Sequence, residues 1–208
     1  MIGSANGVCI SITGLGCRVP ERVVTNDELS TLMDTSDEWI RERTGIRERR
    51  IAEPEEALSD LCLPACRDAL EGAGLTADQI DLIIVATVTP DMNGREVFKF
   101  ATRVLVSSAE AVLAECGRTI DDVDVYVPHQ ANVRIIEHAR QKLGIPEEKT
   151  VIDVDRYGNT SSGSIPLALA DATADGRLRP GQLVLMTGMG AGLTWGSGLI
   201  EWTAGGDG

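Results

Sequence analysis

The sequence predicts an α/β fold built from a duplicated half, on three observations. Short apolar, β-branched runs such as Val8–Thr13 and Asp81–Thr87 have the continuous hydrophobicity of strands buried on both faces of a parallel sheet. Amphipathic segments at helical spacing alternate with them and stop at glycine. The block Gly74–Val85 returns as Gly117–Val127, with Gly74/Gly117, Thr76/Thr119, Asp78/Asp121 and Asp81/Asp124 matched at one constant offset. Each copy reads as a helix ending in glycine, a Thr-x-x-Asp cap and a buried strand after aspartate. The two halves, 1–91 and 92–208, are therefore expected to repeat one supersecondary unit.

Each element has a local reason. Val8–Thr13 is closed by Gly14 and Gly16 and reads as a strand leaving into a loop. Thr25-Asn-Asp-Glu28 has capping-box spacing and predicts a short helix through Met33. Ser36, followed by Asp37 and Glu38, starts a second helix into Trp-Ile-Arg-Glu-Arg. Leu58–Ala73 is helical up to Gly74, with Pro64 in an early turn or at a kink. From Gly94 to Cys116 the spacing of Val97, Phe100, Ala101, Val104, Leu105, Val112 and Leu113 predicts a long amphipathic helix. Beyond it, Val123–Val127 and Thr150–Val154 read as strands, and Asn132–Leu143 and Ser164–Asp175 as helices. Leu183–Met186 and Ser197–Trp202 are strands flanking the glycine-rich turn Gly188–Gly192.

Composition narrows the function. With 43% apolar and 25% charged residues the chain is ordinary globular material, and 208 residues suffice for a sizeable core. The net charge of −13 disfavours a general nucleic-acid binder, and seven aromatics leave no basic and aromatic stretch for stacking on bases. No apolar run reaches the eighteen or more residues of a membrane span, and Met1–Gly7 lacks a secretory pattern, so a soluble cytoplasmic protein is expected. Five cysteines without paired CxxC spacing indicate neither a disulfide framework nor a metal site.

Two positions stand where open α/β folds place their chemistry, just beyond strand ends. His129 follows Val123–Val127 through Pro128, and Asn159 lies in Arg156-Tyr-Gly-Asn-Thr-Ser-Ser-Gly163. Taken alone, the first also reads as a buried histidine bonded to backbone and the second as an ordinary turn residue. His138, beside Glu137 and Arg140, reads as a solvated helix face. The Gly188–Gly192 turn lacks dinucleotide-fold spacing and fits close backbone approach to a substrate channel better than phosphate cradling.

Four motifs together resemble β-ketoacyl-[acyl-carrier-protein] synthase III of the thiolase superfamily: Asp34–Arg49 (DTSDEWIRERTGIRER), Pro128-His-Gln-Ala-Asn132, Gly158-Asn-Thr-Ser-Ser162 and Gly192-Leu-Thr-Trp-Gly-Ser197. The resemblance runs from about Val8 to Trp202. It implies a thiolase-like duplicated αβαβα five-layer fold, incomplete in this chain. It also implies decarboxylating condensation of a short acyl-CoA with malonyl-acyl carrier protein by a Cys–His–Asn triad, in a homodimer, with acyl-CoA as substrate and no resident cofactor or metal. Residue by residue, it gives His129 and Asn159 the triad's histidine and asparagine roles, donating to the enolate oxygen formed on decarboxylation. Trp39 and Arg43 would sandwich the CoA adenine, with Thr35 nearby, and Asn132 would hold the pantetheine arm. The acidic carrier protein would dock on Lys99, Arg134, Arg140 and Lys142.

The chain also departs from the family. Members carry a long segment between the strand ending in Thr-x-x-x-x-Pro and the Met-x-Gly-x-x-x-Val-Phe helix, with the nucleophile in an Ala-Cys-Ser/Ala-Gly context. Here Thr87-Val-Thr-Pro-Asp91 runs straight into Met92-Asn-Gly-Arg-Glu-Val-Phe98, and no cysteine has that context. Two explanations stand: a longer parent protein, or a true internal deletion. The first is favoured because a partial sheet would not bury its faces. The competing functions are a relative acting in a polyketide or natural-product pathway and a non-catalytic CoA-binding remnant.

Overall fold

The computed structural model describes residues 12–80, 94–190 and 194–203. In chain order these form β1 (Val23–Thr25), α1 (Asn26–Ser30), α2 (Asp37–Thr44), β2 (Glu48–Arg50), α3 (Leu58–Ala73), α4 (Gly94–Glu115), β3 (Val125–Pro128), α5 (Val133–Leu143), α6 (Val154–Tyr157), α7 (Ser164–Ala174), β4 (Leu183–Gly190) and β5 (Thr194–Glu201). The strand expected at Val8–Thr13 falls almost wholly outside the described residues. So do the strand expected at Asp81–Thr87 and the Asp91–Met92 junction between the halves.

The second half is a three-layer α/β/α unit. β3 pairs in parallel with β4, and β4 pairs antiparallel with β5. An isolated parallel bridge from Tyr126 to Thr150 extends the sheet past β3. All four residues of β3 are buried, as a strand covered on both faces requires. Alternation sorts its side chains: Val125 and Val127 join Val184, Trp202 and Ala168, Leu169 and Ala172 of α7. Tyr126 faces the other way, into a cluster with Leu185, Leu199, Ala109 and Leu113 of α4 and Leu143 of α5.

The repeat detected in the sequence has matching geometry in both copies. Gly74 and Gly117 close α3 and α4 with φ of +65° and +63°, the left-handed conformation that glycine adopts without penalty. After each, a threonine backbone N–H donates to a side chain three residues on, Thr76 to Gln79 at 2.8 Å and Thr119 to Asp122 at 2.7 Å. The expected Thr-x-x-Asp cap thus holds literally only in the second copy.

Residues 12–50 act as a mount. Gly14 and Gly16 lie against the backbone of α3, where a Cβ on either would run into the carbonyl oxygen of Ala69 or Ala65. Asn26, 1% exposed, fixes the start of α2 to the approach of β2. Its amide donates to Asp37 Oδ1 and to the Ile46 carbonyl, both at 2.8 Å, and its oxygen accepts from Arg49 at 2.6 Å. Several boundaries differ from expectation, β5 among them, which begins at Thr194 rather than Ser197. The first short helix ends at Ser30 rather than Met33, and β4 continues to Gly190, pairing with Thr194. The strand expected over Thr150–Val154 is only the bridge at Thr150, because the chain turns into α6 at Val154.

Candidate functional site

Asn132 sits where β3 gives way to α5. Its side-chain oxygen caps the helix by accepting from Ile135 N–H at 3.0 Å, which leaves its NH2 group as the donor end. The next residue, Val133, is the seat of α2. Gly45, the C-cap of α2 with φ +79°, lies so close that a Cβ there would come within 2.7 Å of the Val133 side chain. The mount touches the Asn159 loop as well, because Arg47 N–H donates to the Asp155 carbonyl at 3.0 Å. Gly158 packs against Arg49 and Ile46. The Trp39 helix, the histidine motif and the asparagine motif therefore converge through one backbone hydrogen bond and close glycine contacts.

His129 is 8% exposed. Its N–H extends the β3 ladder by donating to the Thr187 carbonyl at 2.8 Å, and its Nδ1 lies 2.5 Å from Ser164 Oγ. Burial pushes its imidazole below the ordinary value, which favours the neutral ring. Asn159 is exposed, and its Oδ1 accepts from Ser161 N–H at 3.0 Å in an Asx turn. That bond fixes the flip of the amide: oxygen toward the backbone, NH2 outward as a donor. Ser161 has φ +53°, the one non-glycine with positive φ among the described residues, so backbone strain falls on this turn.

Gln130 stands inside the Pro128-His-Gln-Ala-Asn132 motif, where the sequence suggests no role for it. It is fully buried and makes four bonds. Its NH2 donates to the carbonyls of Pro128 at 2.9 Å and Val151 at 3.1 Å. Its oxygen accepts from the N–H groups of Asp153 at 3.1 Å and Val154 at 3.3 Å. Gln130 thereby ties the His129 segment to the segment that leads to Asn159. Ser164, also passed over, is 1% exposed at the first turn of α7. The only signal for either was its place inside or just past a quoted motif, since both partners lie more than twenty residues away.

The predicted CoA residues are placed unequally. Thr35 is half-buried just ahead of α2, and Trp39 stands 53% exposed on that helix. The Arg43 guanidinium lies over the Trp39 ring, 5.2 Å from its centroid. A base between the two would need about 7 Å between their planes, twice a van der Waals contact. Arg43 must therefore swing outward to admit one.

The expected carrier-protein set is split by the direction of α5. This helix leaves the carboxyl end of β3 and runs back beside the sheet, so Arg134 is exposed near Asn132 while Lys142 lies about 12 Å further along. Lys142 lines a cleft of about 280 Å³ with Glu110, Arg118 and Thr119, on the side where β3 begins. Arg140 is held by Glu137 at 2.6 Å and Glu147 at 3.6 Å. Lys99 belongs to α4, and its side chain lies outside the described residues.

Comparison with known proteins gives consistent results. A family model described as 3-oxoacyl-[acyl-carrier-protein (ACP)] synthase III C terminal matches residues 113–202. The β-ketoacyl-[acyl-carrier-protein] synthase III of Symbiobacterium thermophilum is 35% identical over 323 positions, covering 93% of this chain and 98% of that one. That alignment is longer than the 208 residues present, so more than a hundred of its positions face a gap here. The crystal structure of 3-oxoacyl-[acyl-carrier-protein] synthase III from Aquifex aeolicus VF5 superposes with a TM-score of 0.87 at 29% identity, covering 92% of this chain and 99% of that one. For the corresponding synthase III of Thermus thermophilus the TM-score is 0.82 at 32% identity, with coverage of 94% and 100%.

Proposed function

The chain belongs to the β-ketoacyl-[acyl-carrier-protein] synthase III family of the thiolase superfamily, and on that premise we propose that it serves the decarboxylating condensation that starts fatty-acid chains. A short acyl-CoA and malonyl-acyl carrier protein are the substrates. The observation that carries this reading is the convergence at Val133, where the C-cap of α2 seats the Trp39 helix beside Asn132, three residues past His129. CoA bound along α2 would pass its pantetheine arm over Asn132 toward His129.

The chemistry assigned to these residues is that of the malonyl half-reaction. Loss of carbon dioxide from the malonyl thioester leaves an enolate, whose oxygen carries charge that grows toward the transition state. Nε2–H of a neutral His129 and the NH2 of Asn159 are the donors assigned to that oxygen. Donors fixed before the reaction stabilise developing charge without reorganisation. The acyl half-reaction needs a thiolate. Burial together with Asp171 pushes the Cys17 thiol up, the wrong direction for a nucleophile.

These facts favour one second reading, a chain that binds CoA and handles malonyl groups but cannot condense them. Intact mass separates the two. A mass of 22.2 kDa supports the second, and a mass larger by half or more supports the synthase with its missing segment. The functional assay follows malonyl-acyl carrier protein with and without acyl-CoA, recording carbon dioxide and β-ketoacyl product. His129→Ala and Asn159→Ala are expected to lower carbon dioxide release by about a hundredfold, while acyl transfer from CoA, where it occurs, falls much less. Equal loss in both half-reactions would remove the division of labour. Residence in the cytoplasm as a homodimer completes the proposal; among the described residues no helix is long and apolar enough to cross a membrane.

A further inference from the structure

The geometry points to Ser164 as the positioning residue that sets His129 as a donor through Nε2. This inference rests on the malonyl-handling role proposed for His129 and adds the residue that determines its protonated nitrogen. Ser164 Oγ stands between two groups, 3.3 Å from the backbone nitrogen of Gln130 and 2.5 Å from His129 Nδ1. The Gln130 N–H can only donate, so it occupies a lone pair of the hydroxyl oxygen. The hydroxyl keeps one hydrogen to give, and among the described contacts the ring nitrogen is the one acceptor within hydrogen-bonding distance of it, which assigns the direction as Ser164 O–H to Nδ1. An imidazole that accepts at Nδ1 carries its proton on Nε2. The oxyanion role requires that nitrogen as the donor.

Three features make the arrangement rigid. Ser164 is 1% exposed and opens α7, so helix packing holds its backbone. Gln130, which supplies the N–H, is itself clamped by four side-chain bonds. Ser164 lies three residues beyond Ser161, whose N–H fixes the amide of Asn159. One turn, Ser161–Ser164, therefore orients both proposed donors: a backbone N–H for the asparagine and a hydroxyl for the histidine. An alanine at 164 keeps the helix but leaves Nδ1 without its donor. The tautomer is then free, and the Nδ1–H form presents a lone pair where the reaction needs a proton.

The test uses nitrogen NMR of the full chain labelled with 15N-histidine. It has only two histidines, and a His138→Gln sample assigns the signals. In the unsubstituted protein at neutral pH, His129 is expected to show a protonated Nε2 and an unprotonated Nδ1. Ser164→Ala should convert this to a mixture or to the Nδ1–H form, and Ser164→Thr, which keeps the hydroxyl, should restore it. With malonyl-CoA as probe, Ser164→Ala should lower the kcat of decarboxylation about tenfold with little change in KM, and Ser164→Thr should recover most of it. An Nδ1–H ring in the unsubstituted protein, or an unchanged tautomer in Ser164→Ala, overturns the proposal. A tautomer that responds as expected, in a protein whose malonyl-CoA decarboxylation is indifferent to His129→Ala, upholds the Ser164 assignment and overturns the catalytic reading of His129 instead.

Discussion

The buried amide of Gln130 donates to the Val151 carbonyl at 3.1 Å and is one of the bonds by which this glutamine diverts the chain after Thr150 from strand to helix. Val151 N–H still reaches the Tyr126 carbonyl at 2.9 Å, as a parallel neighbour should. Two residues on, Gln130 Oε1 captures the N–H groups of Asp153 and Val154. Those groups would otherwise be orphans at the start of α6. The glutamine thus ends one strand and starts one helix.

Gln130→Ala is therefore expected to be severely destabilising. It strands two carbonyls and two N–H groups in a buried site, where each unsatisfied group costs about 1–3 kcal/mol and water can recover part. A loss of about 3 kcal/mol or more in denaturant unfolding is expected, with a lowered midpoint and little change in slope. A cost below about 1 kcal/mol would mean that the clamp is dispensable.

Asp153 gives a pH dependence of unusual sign. Its carboxyl is 1% exposed, one oxygen has no hydrogen-bond partner among the described residues, and burial together with Asp171 raises it from 3.8 to about 7. The folded state therefore holds this proton where the unfolded state has released it, so stability declines as pH rises from about 4 to 7 and then levels. His129 acts oppositely. Its folded value lies below 6.5, so its contribution is lost as pH falls beneath that point. Asp153→Asn should remove only the first effect, gaining about 1–3 kcal/mol at pH 8 and almost nothing at pH 4. A gain equal at both pH values would show that charge is not the cause.

The sequence exposed what is local and hid what is distant. Caps at Thr25 and Ser36 and the glycines after α3 and α4 were legible because cap chemistry is written within four residues. His129 stands beyond a strand end as the sequence predicts, whereas Asn159 follows α6 and not a strand, and for both residues the catalytic roles are what the family motifs imply. The run Thr150–Val154 was misread because its β-branched residues favour a strand, while the acceptor that diverts it sits more than twenty positions away. The same distance concealed Ser164. Arg134 and Lys142, eight apart on roughly one face, read as one docking surface in the sequence, and the direction of α5 carries Lys142 to the end away from Asn132.

Trp39 is predicted to matter for CoA and not for stability. It is 53% exposed, and its ring is covered only by the neighbouring guanidinium of Arg43 among the contacts described. Stacking on an aromatic ring contributes about 1–3 kcal/mol per base. Trp39→Ala should thus weaken CoA binding by tenfold or more in calorimetry while the thermal midpoint stays within a degree or two. CoA should also alter Trp39 fluorescence as Arg43 leaves the ring. Unaltered affinity in Trp39→Ala would place the adenine elsewhere.

Docking of the carrier protein should depend on Arg134 and not on Lys142. The chain's charge of −13 repels an acidic carrier at long range, so productive encounter requires a local basic site. Arg134 is exposed in the first turn of α5, two residues from Asn132, at the end of the helix nearest the proposed path of the pantetheine arm. Lys142 shares its cleft with Glu110 at the opposite end of the helix, and Arg140 is already neutralised by Glu137 and Glu147. Arg134→Glu should lower kcat/KM for malonyl-acyl carrier protein about tenfold and leave malonyl-CoA decarboxylation nearly unchanged. Lys142→Glu should change neither by more than about twofold. Raising salt from low to physiological strength should reproduce part of the Arg134→Glu loss in the unsubstituted protein, because rim charges act mainly on association and are screened within about 8 Å. Equal losses for the two variants would mean that the whole of α5, rather than its first turn, faces the carrier.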